Sequence, residues 1–211
     1  MLIEVFEIIG TIAFAISGAL VGINKELDYL GVVTLAVTTA LGGGVVRDVL
    51  IGQTPPTAFS SSSFIIMSIV SAIIVFHFHD KLLKFRYPIQ LSDALGLGAF
   101  TTIGASIAIA NDLTSPFVVA LLALSTGAGG GIIRDVFVKE IPFVFRKEIY
   151  GSASILGSLI YLLSLNLFTE NSAMYICFTV TFLVRVASMK YNINLMVAKR
   201  ESASASVKET L

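Results

Sequence analysis

The sequence predicts an all-α polytopic membrane protein. Three observations carry that: an apolar composition, seven long apolar runs, and positive charge confined to alternate connections. Of 211 residues, 55% are hydrophobic and 13% charged, with a mean hydropathy of +0.89. Soluble domains carry about a quarter charged residues, and disordered chains combine low hydrophobicity with high net charge. Both classes are excluded. The 14 Lys+Arg balance 14 Asp+Glu, so nothing in the total points to a nucleic-acid partner. The one cysteine, Cys177, has no internal disulfide partner and no metal-ligand spacing around it.

The apolar runs fall at 6–23, 31–51, 62–79, 92–110, 116–137, 149–168 and 172–190, each near the roughly 20 residues a membrane helix needs. Lipid admits only helices or a closed barrel, and the runs lack the period-2 alternation of barrel strands. Lys25, Lys81, Lys84, Arg86, Lys139, Arg146 and Lys147 lie in the first, third and fifth connections, and Lys190, Lys199, Arg200 and Lys208 follow the last span. The second, fourth and sixth connections hold no Lys or Arg. The positive-inside rule then sets the N-terminus outside and the C-terminus in the cytoplasm, which agrees with an odd number of spans. Met1–Gly10 contains Glu4 and Glu7 and lacks a basic n-region, so the first span is expected to be a helix of the mature chain rather than a cleaved signal. The tail Lys199–Leu211 reads as solvated and disordered.

The chain repeats itself. Thr38-Thr39-Ala40-Leu41-Gly42-Gly43-Gly44-Val45-Val46-Arg47-Asp48-Val49 recurs 87 residues later as Ser125-Thr126-Gly127-Ala128-Gly129-Gly130-Gly131-Ile132-Ile133-Arg134-Asp135-Val136, with seven of twelve positions identical. Pro55 and Pro142 keep that offset, and Glu7, Gly10, Ala13, Phe14 and Gly18 match Asp93, Gly96, Ala99, Phe100 and Gly104 with one residue of slippage. Three spans per copy is odd, so the second copy enters the membrane from the opposite side, as an inverted repeat. The expected units are 1–85, 86–169, a seventh helix over 170–191, and the tail 192–211.

At 1.5 Å per residue, the second span reaches about mid-membrane at its triple glycine, and the fifth does so by symmetry. Each Gly costs a helix about 1 kcal/mol relative to Ala, so Gly42–Gly44 and Gly129–Gly131 are expected to kink or break their helices. Half-helix ends exposed by a break would attract ions; close helix packing is the alternative reading. One turn on, Arg47, Asp48, Arg134 and Asp135 are costly inside a membrane. Neighbours on a helix diverge by about 100°, so each Arg and its adjacent Asp are expected to bond elsewhere. They either flank a permeation path or staple the helices. Thr38, Thr39, Ser125 and Thr126 offer hydroxyl lining, unless they bond back to their own helix. His77 and His79 are too few for a metal site. Arg185 is expected to snorkel or pair internally, and Asp93 to cap the inner end of its span. No metal or cofactor site is expected, and no catalytic constellation is present, so an enzyme is not expected.

The doubled G-G-G-[VI]-[VI]-R-D-V motif in a three-plus-three-plus-one layout resembles the prokaryotic trimeric intracellular cation channel family, also described as glycine-transporting membrane proteins. The resemblance covers about residues 3–190. It implies a homotrimer in the inner (plasma) membrane with an hourglass pore in each protomer, lined by the second and fifth helices and kinked at Gly42–Gly44 and Gly129–Gly131. Arg47, Asp48, Arg134 and Asp135 would be pore-adjacent. It further implies potassium as the permeant ion, sodium less favoured, with lipid and further copies of the chain as the other partners. The Lys-Glu-Val signature of animal members is absent, so their lipid and calcium regulation is not carried over. A Thr-Val-Gly-Tyr-Gly filter is also absent. Inverted repeats alone favour a secondary transporter, so a carrier of a small zwitterion such as glycine is the competing reading, and a transport-free scaffold the third.

Overall fold

Apolar runs of this length in lipid must satisfy every backbone group internally, and the chain does so as helices. The computed structural model describes residues 2–60, 62–85, 87–146 and 149–193; most of the tail expected to be disordered lies outside them. The long helices are α1 (Leu2–Asn24) and α2 (Tyr29–Leu50), then α4 (Ser62–Leu82), α5 (Pro88–Ala110), α6 (Pro116–Phe137) and α9 (Glu170–Tyr191). All six are long and apolar enough to cross a membrane. One-turn helices α3 (Thr57–Ser60) and α7 (Phe143–Arg146) follow α2 and α6, where only loops were expected.

The sixth expected span is shorter than its run. Helix α8 covers Gly151–Leu165, about 22 Å against a hydrocarbon core of about 30 Å. Residues ahead of it turn inward instead of extending it: the Ile149 N–H donates to Ser188 Oγ at 3.1 Å, and Tyr150 is buried.

Local chemistry sets the ends. Asp28 accepts the Gly31 N–H at 2.7 Å ahead of α2, and Pro88 and Pro116 open α5 and α6, where a missing N–H costs nothing. The repeat extends to the left-handed residues after each helix. Glu26 and Asp112 follow α1 and α5 with φ of 57° and 59°, and Gly52 and Lys139 follow α2 and α6 with φ of 75° and 58°. In each pair the next N–H returns to the last helical turn: Gln53 to the Asp48 carbonyl and Glu140 to that of Asp135. Such closures satisfy carbonyls that a helix end would otherwise orphan.

Helix crossings make the inversion visible. On α1 and α5, Gly10 lies under Phe100 and Gly96 under Phe14, and the two rings stack at 5.4 Å. On α2 and α6, Gly43 abuts Thr126 and Gly130 abuts Thr39. As one number rises its partner falls, so equivalent helices run antiparallel. A pseudo-twofold axis passes between the stacked rings and between the two glycines. Each copy also packs alike internally: Gly18 on Ala36 in the first, Gly104 on Ala123 in the second. Helix α9, without a counterpart, packs on α5 and α8. Arg134, Arg185 and Asp93 are buried while Phe117, Leu163 and Leu183 are exposed, the inside-out distribution of a lipid-facing bundle.

Candidate functional site

The triple glycines do not break their helices. Helices α2 and α6 run uninterrupted from Tyr29 to Leu50 and from Pro116 to Phe137, so the expected half-helix ends are not formed. The absent side chains serve proximity instead. A Cβ on Gly43 would stand 2.1 Å from the Thr126 carbonyl oxygen, one on Gly130 would stand 2.1 Å from that of Thr39, and one on Gly129 would meet Gly43 Cα at 3.0 Å. Two helices thus touch backbone to backbone at the centre of the bundle. Backbone atoms make the nearest contacts at Gly43, Gly129 and Gly130, with the Phe14 ring beside Gly130. Gly42 faces Ile133, whose Cδ1 would be 2.6 Å from an added Cβ.

Just past the crossing, each Arg bonds its own neighbour, against the expectation from the 100° divergence. Arg47 Nε lies 2.8 Å and Nη2 2.7 Å from Asp48 Oδ1, and Arg134 Nε lies 2.8 Å from Asp135 Oδ1. The divergence applies to Cβ directions; a guanidinium on a long stem folds back along the helix surface and spans it. The second carboxylate oxygen ties down the following one-turn helix. Asp48 Oδ2 accepts the Thr57 N–H at 2.8 Å and its hydroxyl at 2.5 Å, and Asp135 Oδ2 accepts the Phe143 N–H at 3.0 Å. The equivalent prolines are therefore Pro56 and Pro142, each directly before its short helix, one residue away from the constant-offset pairing of Pro55.

Around this shared frame the two copies differ. Arg134 Nη1 also donates to Asp93 Oδ1 and Ser17 Oγ, both at 2.6 Å, so it joins α6 to α5 and α1. Asp93 is fully buried and is an ion-pair partner, not the interfacial cap expected from its position. The Phe143 ring lies 5.3 Å from the Arg134 guanidinium, and Arg185 lies 4.8 Å from the centre of the Tyr150 ring. Two acids, Asp93 and Asp135, thus share a buried cluster with two arginines. By the 86-residue offset, Ser17 corresponds to Ile103, Asp93 to Glu7 and Tyr150 to Phe64. The first copy lacks counterparts of Ser17 and Tyr150, and among the described residues Arg47 bonds Asp48 and, at 3.3 Å, the Thr57 hydroxyl.

Two depressions result. At the end of the bundle that holds the start of α1, Glu7, Thr11, Gly44, Arg47, Thr57 and Phe64 surround a well of ≈ 40 Å³, room for roughly three waters at about 10–15 Å³ each. At the opposite end, Asn24, Lys25, Gln90, Asp135, Glu140 and Phe143 border one of ≈ 230 Å³, bridged at its rim by a Lys25–Glu140 ion pair. The Gly43–Gly130 crossing lies between them. Gly44 opens on the first well, with only Arg47 Nη2 (3.9 Å) near an added Cβ; its counterpart Gly131 is covered by the Tyr150 hydroxyl at 3.0 Å.

The four candidate hydroxyls all donate to their own helices. Thr39 donates to the Leu35 carbonyl at 2.5 Å and Thr126 to that of Leu122 at 2.6 Å, while Thr38 reaches Thr34 and Ser125 reaches Leu122. Thr39 and Thr126 are fully buried against Gly18 and Gly104; Thr38 and Ser125 are half-buried. His77 and His79 likewise face carbonyls of their own helix. Sequence reasoning missed Ser17, Thr57 and Tyr150 as members of the site. For Asp93 a signal existed: the offset pairs it with Glu7, another acid inside a span.

The sequence model described as glycine transporter matches twice, over residues 4–80 and 90–166, so each copy of the repeat is one unit of that family. The UPF0126 membrane protein YvgT of Bacillus subtilis is 39% identical over 192 residues, covering 90% of this chain and 93% of YvgT. The UPF0126 inner membrane protein YadS of Escherichia coli K12 is 34% identical over 200 residues, covering 92% and 95%. Among solved structures, a prokaryotic TRIC channel crystallised in 0.5 M KCl aligns with a TM-score of 0.87 at 43% identity, covering 92% of this chain and 99% of that one. The TRIC orthologue from Rhodobacter sphaeroides aligns at 0.85 and 29% identity, covering 90% and 98%. The seven-helix inverted-repeat fold, these relatives and the duplicated match together place the chain in the plasma membrane as a multi-span protein belonging to the prokaryotic TRIC family, the family whose sequence model is named glycine transporter.

Proposed function

We propose that the protein is a monovalent cation channel, conducting K+ with Na+ less favoured, through a path inside each protomer between α1, α2, α5 and α6. The observation that carries this reading is the pair of acid-bearing wells on either side of a crossing where α2 and α6 meet backbone to backbone at Gly43 and Gly130. A small separation of α2 and α6 at Gly42–Gly44 and Gly129–Gly131 would join the wells, with Arg47, Asp48, Arg134 and Asp135 at the two mouths and Thr38 and Ser125 beside the constriction. The solved relatives are by name cation channels and trimeric, which supports the same activity and a homotrimer here. The N-terminus is assigned outside and the C-terminus to the cytoplasm, and the repeat units to 1–85, 86–169 and 170–191, with 192–211 as tail. No cofactor enters the reading, in which K+ is the permeant ion, and the protein is no enzyme.

Purified protein in planar bilayers tests this. Unitary currents in symmetric KCl that fall when NaCl replaces it support the reading, and their absence from trimeric protein removes it. The name of the family model favours one rival, an alternating-access carrier of glycine, whose two wells would be its two access pathways. Saturable uptake of labelled glycine into liposomes without unitary currents establishes the carrier instead.

A further inference from the structure

The inverted repeat places an acid at the same point of each copy and uses the two differently. Asp93 on α5 is fully buried, and one of its oxygens accepts from Arg134 Nη1 at 2.6 Å. Its counterpart Glu7 on α1 is half-buried and lines the well of ≈ 40 Å³ beside Gly44. The other motif arginine does not bind it: Arg47 spends Nε and Nη2 on Asp48 and Nη2 on Thr57. Among the described residues no hydrogen bond or ion pair engages Glu7, and the charged groups that act on it are Arg47 and Asp48 of α2 and Glu4 of its own helix. A carboxylate inside a span is costly without a partner, so this one takes its partner from whatever enters the well.

The rest of the well suits a cation. Thr11 stands one turn further along the same face of α1 and lines the well with a second oxygen that no described residue bonds. Arg47 and Asp48 offset each other across a 2.7 Å contact, so the Glu7 carboxylate sets the sign of the field inside. Leu41, Ala58, Phe64 and Phe100 supply apolar walls, and low-dielectric walls around one uncompensated charge concentrate its field. Two protein oxygens do not replace a hydration shell, as rings of carbonyls do in potassium filters, so a cation here keeps part of its water. Such a site recognises charge and discriminates little by ionic radius.

We propose that Glu7, with Thr11, forms a site for one partly hydrated monovalent cation in this well, and that Glu7 is the residue that makes this mouth favour cations. Its effect on current rests on the channel reading above; the binding itself does not. Infrared difference spectroscopy of the protein in liposomes, with K+ exchanged for N-methylglucamine, tests the binding. The expected result is a K+-dependent shift of a carboxylate band that Glu7→Gln abolishes. Glu7→Asp, which keeps the charge, should retain it, and Glu4→Gln, at an exposed position, should leave it unchanged. In single-channel recordings Glu7→Gln should lower the K+ current entering through this well about five-fold in about 0.01 M KCl. It should change the current little in about 1 M KCl, where the screening length falls from about 30 Å to about 3 Å. A band shift that is absent from the wild type, or that survives in Glu7→Gln, overturns the site. Wild-type currents from Glu7→Gln at low salt overturn its role in permeation. A protein that shows the shift and no unitary currents removes the channel reading and leaves the site standing.

Discussion

Replacing Gly43 with Ala adds one methyl where the structure has no room. The new Cβ would stand 2.1 Å from the Thr126 carbonyl oxygen, and ordinary contact begins at 3.4 Å, so α2 and α6 must separate by the difference, 3.4 − 2.1 = 1.3 Å, or carry the strain. The obstructing atom belongs to a helix backbone and cannot rotate away. Overpacking of this kind costs about 1–3 kcal/mol, roughly 2–12 °C in unfolding temperature for a chain of this size. Gly130→Ala meets Thr39 at the same 2.1 Å and should cost the same. One separation relieves both clashes, so the double variant should lose less than the sum of the two. Gly44→Ala is the control: its Cβ meets only Arg47 Nη2 at 3.9 Å, and Ala favours the helix by about 1 kcal/mol. Thermal unfolding in detergent, followed with a thiol-reactive dye, reads this directly, because the single cysteine, Cys177, is buried until the bundle opens. If Gly43→Ala matches wild type while Gly44→Ala is the unstable variant, the glycines do not mediate the crossing.

The asymmetry between the two copies gives a second expectation. Asp93→Asn removes a charge from the buried cluster around Arg134 and should cost on the order of 3 kcal/mol, whereas Glu7→Gln, beside a well, should change stability by about 0.5 kcal/mol or less; chemical denaturation in detergent compares them, and equal losses would contradict the assignment. At the α8–α9 contact, a Cβ on Gly157 would lie 1.9 Å from Thr181 Oγ1. Gly157→Ala should therefore lower the unfolding temperature, and adding Thr181→Ala should restore most of the loss, with failure of the rescue placing the clash elsewhere.

Much of this architecture was legible in the residues. Six spans lie within a few residues of their apolar runs because lipid leaves the backbone few choices, and the duplicated motif required an inverted repeat once each copy held three spans. The limits were physical. Side-chain reach hid the Arg47–Asp48 and Arg134–Asp135 pairs, since backbone divergence says nothing about where a four-atom stem can bring its guanidinium. Glycine in a run weakens a helix but also admits a neighbour, and tertiary contact at Gly43 and Gly130 offset the intrinsic cost. The one-turn helices α3 and α7 exist because a carboxylate from the preceding span receives their first N–H, a partnership between residues nine and eight apart that no helical period announces. The different partners of the two arginines were invisible because the motif repeats faithfully while the residues facing it, Ser17 against Ile103 and Tyr150 against Phe64, do not.

The central claim is that cations pass through the well beside Gly44 and across the glycine crossing. Single-channel recording of Gly44→Cys in a Cys177→Ser background, before and after a charged methanethiosulfonate reagent reaches the well, tests it most directly. A positively charged adduct should reduce the unitary K+ current strongly, and a negatively charged one of similar size should reduce it much less. Complete modification, verified by mass, that leaves the current unchanged with both reagents would contradict the account.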